Sequence, residues 1–375
     1  MTMSTGPKPT KPKTSTRDRD DIAERLARWL RKVTDADDQP AVHPLDGPVK
    51  GGLSSETLLF DIAWTTGSQR HERRVVVRLP PPADAWPVFP TYELGRQAAA
   101  MDVVGHSSSI PVPEIFWYEP DPEPIGAPFI VMQRVDGIAA PDYMPYTWGS
   151  WVTELARVER AQAADRCIDV LAAIHDIHVT SALVDVLELR EFDGSPLRRH
   201  FDSERARYEW ARDGRHFPTI ERGFDVLEAH WPEWEHDARI GWGDARLGNI
   251  LWSGVEPTAV LDWEMVALTP PEVDLSWMVF FAEYFQRSAE RRELPGIPGF
   301  LARDSAVARY EQVTGLEVQH FDWYLCYSAV REAIVSLRTM GRAVHFGELA
   351  TPDDPEGLIL DREFVVELIG ALASV

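Results

Sequence analysis

Residues 241–251 read G-W-G-D-A-R-L-G-N-I-L, and residues 260–264 read V-L-D-W-E, so Asp262 follows Asn249 by thirteen positions. Asp244 is a carboxylate on a glycine-flanked turn, able to orient a hydroxyl or take its proton. Asn249 and Asp262 offer side-chain oxygens of the kind a hard cation such as Mg²⁺ accepts. Taken singly, each is an ordinary turn or surface residue. The combination, at these intervals and beside apolar runs, carries the information. A carboxylate directly after A-V-L is costly to bury unless it is paired or bound to a metal.

Outward from this stretch the chain has two characters. Ile22, Leu26, Trp29 and Leu30 recur at helical spacing behind Asp20 and Asp21, which sit where a cap and a dipole partner belong, so a leading amphipathic helix is expected. Residues 57–63 and 74–79 are β-rich runs joined through T-T-G-S-Q and predict a hairpin. A helix is expected over 92–104, then strands in I-P-V-P-E-I-F-W-Y-E (110–119) and P-F-I-V-M-Q-R-V-D-G (128–137). Beyond Gly137 the periodicity turns helical: Ala164, Cys167, Ile168, Leu171 and Ile174 share one face, and helices are expected around 199–213, 220–230, 271–285, 321–340 and 361–372. A β-rich part followed by a larger helical part places Asp244, Asn249 and Asp262 on short strand-like pieces within the helical one. Transfer of a γ-phosphoryl group has matching needs: a carboxylate for the accepting hydroxyl, and protein oxygens that hold Mg²⁺ on the phosphates.

Composition narrows the alternatives. A chain of 375 residues suits two lobes, and 44% hydrophobic with 26% charged residues is near the globular average. A formal charge of -22 argues against nucleic acid as a partner and fits either a cationic substrate or a simple solubility charge. Residues 1–20 are rich in Pro, Lys, Ser and Thr, a disordered tail by composition, and lack the apolar centre of a signal peptide. No stretch approaches the roughly 18–20 apolar residues of a transmembrane helix, so no membrane partner and a cytoplasmic location are expected. Cys167 and Cys326, each in a helix-like segment, are expected to be buried thiols rather than a disulfide.

On W-G-D-A-R-L-G-N-I-L, V-L-D-W-E-M and P-P-E-V-D-L-S-W (270–277), the chain resembles the aminoglycoside phosphotransferase-like branch of the protein-kinase-like fold. More narrowly it is similar to the actinobacterial phosphotransferases related to kinase domains fused to some acyl-CoA dehydrogenases. The resemblance covers residues 22–375. It implies an α+β, bilobal fold with a small antiparallel-sheet N-lobe over 21–135, holding the nucleotide, and a mostly helical C-lobe over 136–375, holding the catalytic loop and substrate site. It implies Asp244 as the catalytic-loop aspartate, Asn249 and Asp262 as metal ligands, and Arg246 where protein kinases carry a lysine that reaches the γ-phosphate. Asp274 resembles the buried aspartate that ties the catalytic loop. Trp242 departs from the usual histidine and is read as packing.

The nucleotide half departs further from the pattern. There is no G-x-x-x-x-G-K-[ST] and no G-x-G-x-x-G. Instead K-G-G-L-S-S-E-T (50–57) brings glycines and the amides and hydroxyls of Ser54 and Ser55 to candidate phosphates. Arg78 stands where the phosphate-pairing lysine would be, with Glu93 or Gln97 as its helix partner and spacing favouring Gln97. Gln133 and Val135, at the end of the last strand, are the hinge positions whose backbone would pair with adenine. The implied function is an ATP- and Mg²⁺-dependent transfer to a hydroxyl of a small molecule, aminoglycoside-like or hydroxyacyl. The alternative is a pseudokinase-like nucleotide-binding module without turnover. Trp148, Trp151, Tyr208, Trp210, Tyr284 and Tyr324 are the aromatic candidates for an acceptor site.

Overall fold

In the computed structural model, which describes residues 17–45, 54–82, 85–142 and 145–375, Asp18 caps the first helix, Arg19–Val33 (α1), by accepting from the Asp20 amide at 2.9 Å. The cap was expected at Asp20 or Asp21. Any aspartate in this run can serve, and the one with extended backbone takes the role while Asp20 and Asp21 fill the acidic first turn, where they oppose the helix dipole. The helix begins inside the 1–20 segment; residues 1–16 lie outside the described residues. By contacts the chain divides into two units, Met1–Asp102 with Pro113–Val135 and Gly341–Ala350, and Val103–Val112 with Asp136–Met340 and Thr351–Val375.

The first unit is built on an antiparallel sheet. Its strands are Ala41–Pro44 (β1), Glu56–Thr66 (β2) and Gln69–Leu79 (β3), then, after the helix Leu94–Ser107 (α2), Ile115–Glu119 (β4) and Phe129–Gln133 (β5). Their order is β1-β2-β3-β5-β4. Strands β2 and β3 form the expected hairpin, closing at Thr66 and Gln69, with Gly67 at φ +62° supplying the left-handed turn residue. Alternation sends Leu58, Phe60, Ile62, Val75, Val77 and Leu79 to one face, where they meet Ile22, Leu26, Trp29 and Leu30 of α1. Trp29 sits edge-on to Phe129 at 4.8 Å, and its indole N–H donates to Glu119 at 2.8 Å. Strand β4 starts five residues later than the sequence suggests. Pro111 and Pro113 have no N–H for a ladder, and the Pro111 carbonyl instead accepts from Val260 at 2.7 Å, within the second unit.

The second unit is mostly helical. It contains Ile138–Ala139 (β6), Trp151–Glu154 (α3), Arg157–His175 (α4), Ser181–Leu187 (α5), Pro196–Ala211 (α6), Pro218–Ala229 (α7), Arg239–Gly241 (β7), Ile250–Ser253 (β8), Glu256–Val260 (β9), Ala267–Thr269 (β10), Glu272–Glu290 (α8) and Arg303–Thr314 (α9). Phe321–His345 (α10), of which residues 321–340 belong to this unit, and Arg362–Leu372 (α11) follow. The expected helices are present. Helices α3, α5 and α9 were not foreseen: α9 buries only Ala306 and Tyr310, two residues one turn apart, which is too thin a stripe to read. Strands β6, β8 and β9 make one small sheet and β7 pairs with β10. The β8–β9 hairpin, turning at Gly254 with φ +63°, pairs Ile250 with Val260 and so returns the chain beside Asn249. Cys167 and Cys326 are buried free thiols.

Candidate active site

The loop carrying Asp244 follows β7 and is fixed from below by one carboxylate. Asp274, at the start of α8 and fully buried, accepts from the amides of Trp242 at 2.6 Å and Gly243 at 2.8 Å. His175 Nε2 lies 3.1 Å from the same carboxylate while its Nδ1 lies 2.8 Å from the Tyr310 hydroxyl, so a tyrosine–histidine–aspartate chain supports the loop. Gly243 adopts φ +89°, and a Cβ there would collide with the Met265 carbonyl, so the position admits only glycine. Trp242 is fully buried, donates from its indole to the Leu261 carbonyl at 2.8 Å, and packs near Trp263. It is scaffold, as its substitution for histidine suggested.

Three side chains converge on Asp244, which is itself buried. Trp277 Nε1 donates to Oδ1 at 2.9 Å, Asn249 Nδ2 to Oδ2 at 2.7 Å, and Arg246 Nε to both oxygens at 2.9 and 3.0 Å. Asn249 Nδ2 also donates to the Asp244 carbonyl at 3.0 Å. The amide is therefore oriented by its nitrogen, with its oxygen left for another partner. Arg246 extends one arm to Asp142 and lies 5.6 Å from the centre of the Phe281 ring. Burial works against its charge, but Asp142, Asp244 and Asp262 together lift its pKa above the ordinary arginine value. Burial raises the Asp142 carboxyl above the usual range, opposed by Arg246 and reinforced by Asp244 and Asp262.

Asp262 is joined to this group through the hairpin. The amide of Leu261 donates to the Asn249 carbonyl at 2.8 Å, and Asp262 itself takes φ +61°, a left-handed conformation that aspartate tolerates better than most residues. The candidate metal donors are thus an amide oxygen, on Asn249, and a carboxylate, on Asp262. Among the described residues no group of three or more His, Cys, Asp and Glu could cage a metal. Two hard oxygen donors suit Mg²⁺, which commonly takes one or two protein ligands and completes its shell with phosphate and water.

In the first unit, Ser54 and Ser55 are buried and Arg78 Nη2 lies 3.4 Å from Ser55 Oγ, a long contact. The glycine turn at 50–53 lies outside the described residues. Gln97 is buried, with a side-chain nitrogen that has no hydrogen-bond partner among the described residues, whereas Glu93 precedes α2 and is exposed. Among the described residues the side-chain hydrogen bond seen for Arg78 is to Ser55, not to Glu93 or Gln97. The Gln133 amide is used inside the sheet, donating to the Glu114 carbonyl at 2.8 Å, while Val135 lies just past the strand.

Sequence reasoning missed Asp142, Trp277 and Arg331. Arg331, fully buried on α10, donates to the Gly243 carbonyl at 3.1 Å, stands 4.3 Å over the Trp277 ring and approaches Glu204 at 3.5 Å. It therefore backs both the loop and the indole that holds Asp244. The one available signal was Gly248: a Cβ there would press on the Asp142 carboxylate, so this glycine marks a close approach. Trp277 closes the quoted P-P-E-V-D-L-S-W segment without its donor role being visible.

A model of the phosphotransferase enzyme family matches residues 48–296. Human acyl-CoA dehydrogenase family member 11 is 25% identical over 215 residues, which is 57% of this chain and 26% of that protein. The chain spans about a quarter of the length of the curated relatives it matches first. A crystal structure from Ralstonia eutropha JMP134, described as an aminoglycoside phosphotransferase, superposes with a TM-score of 0.64 at 21% identity over 94% of this chain and 98% of that one. A thermostable mutant of aminoglycoside phosphotransferase APH(4)-Ia, in ternary complex with AMP-PNP and hygromycin B, gives 0.50 at 14% identity over 92% and 99%. At such identities the likeness establishes the fold, which is the α+β protein-kinase-like one.

Proposed function

Because this chain belongs to the phosphotransferase enzyme family, we propose that it transfers the γ-phosphoryl group of ATP to a hydroxyl of a small molecule, with Asp244 as the group that receives the acceptor's proton. In that reaction the acceptor oxygen bonds to the γ-phosphorus, the bond to the β–γ bridging oxygen breaks, and ADP leaves. The observation that carries the reading is the tie among three residues: Asn249 grips Asp244 through its side chain and the Asp262 segment through its backbone. Asn249 Oδ1 and the Asp262 carboxylate would hold Mg²⁺. Bound there, the ion would neutralise charge on the phosphates.

The remaining residues orient and bind. Arg246 turns Asp244 toward one geometry and, as a guanidinium beside the reacting oxygens, would offset charge developing on them. In the first unit we assign Ser54, Ser55, Arg78 and Gln97 to the nucleotide phosphates and the backbone of Gln133 and Val135 to the base. The three donors offset the cost of burying this carboxylate and hold it in one orientation, as a group that must take a proton along one direction requires. The acceptor class within hydroxylated small molecules is aminoglycoside-like or hydroxyacyl.

A nucleotide-binding module without turnover is the competing reading, and one observation favours it: Arg246 Nε spans both Asp244 oxygens, so an approaching hydroxyl must share that carboxylate. ADP release, followed with Mg·ATP and a panel of hydroxyl acceptors, separates the two. Transfer that needs Mg²⁺ and disappears in Asp244→Ala, with ATP still bound, supports the transferase. ATP binding without ADP release from any acceptor, in wild type and variant alike, supports the module.

A further inference from the structure

We infer, on the basis of the phosphotransferase reading above, that the acceptor sits in the cavity beside Asp142 and that Arg292 selects an acceptor carrying an oxyanion over a polycation. The cavity, about 340 Å³, lies wholly within the second unit and is walled by Asp142, Trp148, Tyr284, Phe285, Ser288 and Arg292. Its volume is at the lower end of the range for small-molecule sites, roughly 300–1,000 Å³, which suits a compact acceptor.

The two charged residues of this lining differ in what they offer a ligand. Asp142 spends Oδ2 on Arg246, which in turn holds Asp244, while its Oδ1 is buried with no hydrogen-bond partner among the described residues. Through Asp142 and Arg246 the cavity lining is therefore tied to the carboxylate proposed to receive the acceptor's proton. Arg292 uses a single nitrogen, Nη1, to donate to the Ser288 carbonyl at 2.9 Å and hydroxyl at 3.0 Å, with its guanidinium 5.1 Å from the centre of the Trp148 ring. Those contacts anchor the guanidinium through Nη1. Nε and Nη2 make no bond to the described residues, leaving a two-donor edge of the kind that grips a carboxylate or phosphate.

Aromatic side chains supply the apolar part of the lining. Tyr284 and Phe285 pack at 5.3 Å, Phe285 meets Tyr146 at 5.3 Å, and Thr147 Oγ1 donates to the Phe285 carbonyl at 2.9 Å, anchoring that side. A polycation would find one carboxylate already paired to an arginine and a second arginine facing it. The chain's formal charge of -22 does not reverse this, because exposed charges beyond about 8 Å are screened at physiological salt and contact chemistry decides affinity.

Phenyllactate (hydroxyl, carboxylate and ring), glycerol 3-phosphate, glycerol and kanamycin serve as acceptor probes with Mg·ATP, read as ADP release, and phenyllactate binding is measured separately by calorimetry. The anionic probes should give the highest kcat/KM. Arg292→Gln should lower kcat/KM for them about 10- to 100-fold, chiefly through KM, the loss expected for a charge-assisted contact. Arg292→Glu should shift preference toward kanamycin. Arg292 is exposed, so both variants are expected to fold. Higher kcat/KM on glycerol or kanamycin than on either anion, or an Arg292→Gln enzyme with wild-type values, would overturn the oxyanion site and leave phosphotransfer standing. Phenyllactate binding that weakens in Arg292→Gln, with no ADP released from any probe, would support the anion site and sink the transferase reading.

Discussion

Asp244 is held by donors from both sides of the chain, and the indole of Trp277 is the one whose removal changes least else. Trp277→Phe keeps the ring under Arg331 but deletes the N–H donated to Oδ1. Loss of one charge-assisted bond frees the carboxylate to rotate, so kcat should fall about tenfold with little change in the KM for ATP. Steady-state kinetics check this, and an unchanged kcat would mean that the indole has no part in aiming Asp244. Asp244, Asn249 and Asp262 were legible because their residue types and spacing are local facts of the chain, and Asp274, 31 and 32 residues from the amides it holds, through the family resemblance of its motif. Asp142 and Trp277 were not, since they reach the same loop from sequence separations of 104 and 33 residues. Nothing near Asp142 in P-D-Y-M-P announces a partner for Arg246.

At the scale of elements, the β8–β9 hairpin explains the thirteen-residue interval between Asn249 and Asp262: two paired strands and a glycine turn return the chain to its starting point. The β-rich first unit was readable from period-two alternation in β2 and β3, and the long helices from their apolar stripes. The prolines before β4, the cap at Asp18 and the thinly buried α9 were misread or missed because backbone hydrogen bonding and tertiary packing decide them. Helix α10 shows what periodicity hides, since it presents a charged residue, Arg331, to the interior. Arg331→Met removes a guanidinium that bonds Gly243 and pairs with Glu204. Breaking a buried pair costs about 3–5 kcal/mol. Because Arg207 still bonds Glu204 at 2.9 and 3.0 Å, the loss in urea unfolding should lie near the lower end, about 3 kcal/mol. A variant as stable as wild type would show that the Arg331 pair contributes nothing net.

For the whole molecule, a net charge of -22 coexists with buried carboxylates that are not all paired. Burial, helped by Asp361, pushes the Glu332 carboxyl up to about 8. The folded state therefore holds this proton more tightly than the unfolded chain, whose value is near 4.5. Its contribution is fully present below pH 4.5 and is lost as pH rises toward 8. The stability difference between wild type and Glu332→Gln should shift steadily in the variant's favour across that window, measured by thermal melts at several pH values. A difference that does not vary with pH would rule out titration of Glu332. The central claim concerns chemistry, however, and single-turnover transfer from γ-labelled ATP tests it most directly, using an acceptor on which the wild type turns over. Label should pass to the acceptor in wild type and stay on ATP in Asp244→Ala, with Mg·ATP affinity little changed in the same samples. Transfer by Asp244→Ala at the wild-type rate would contradict the account.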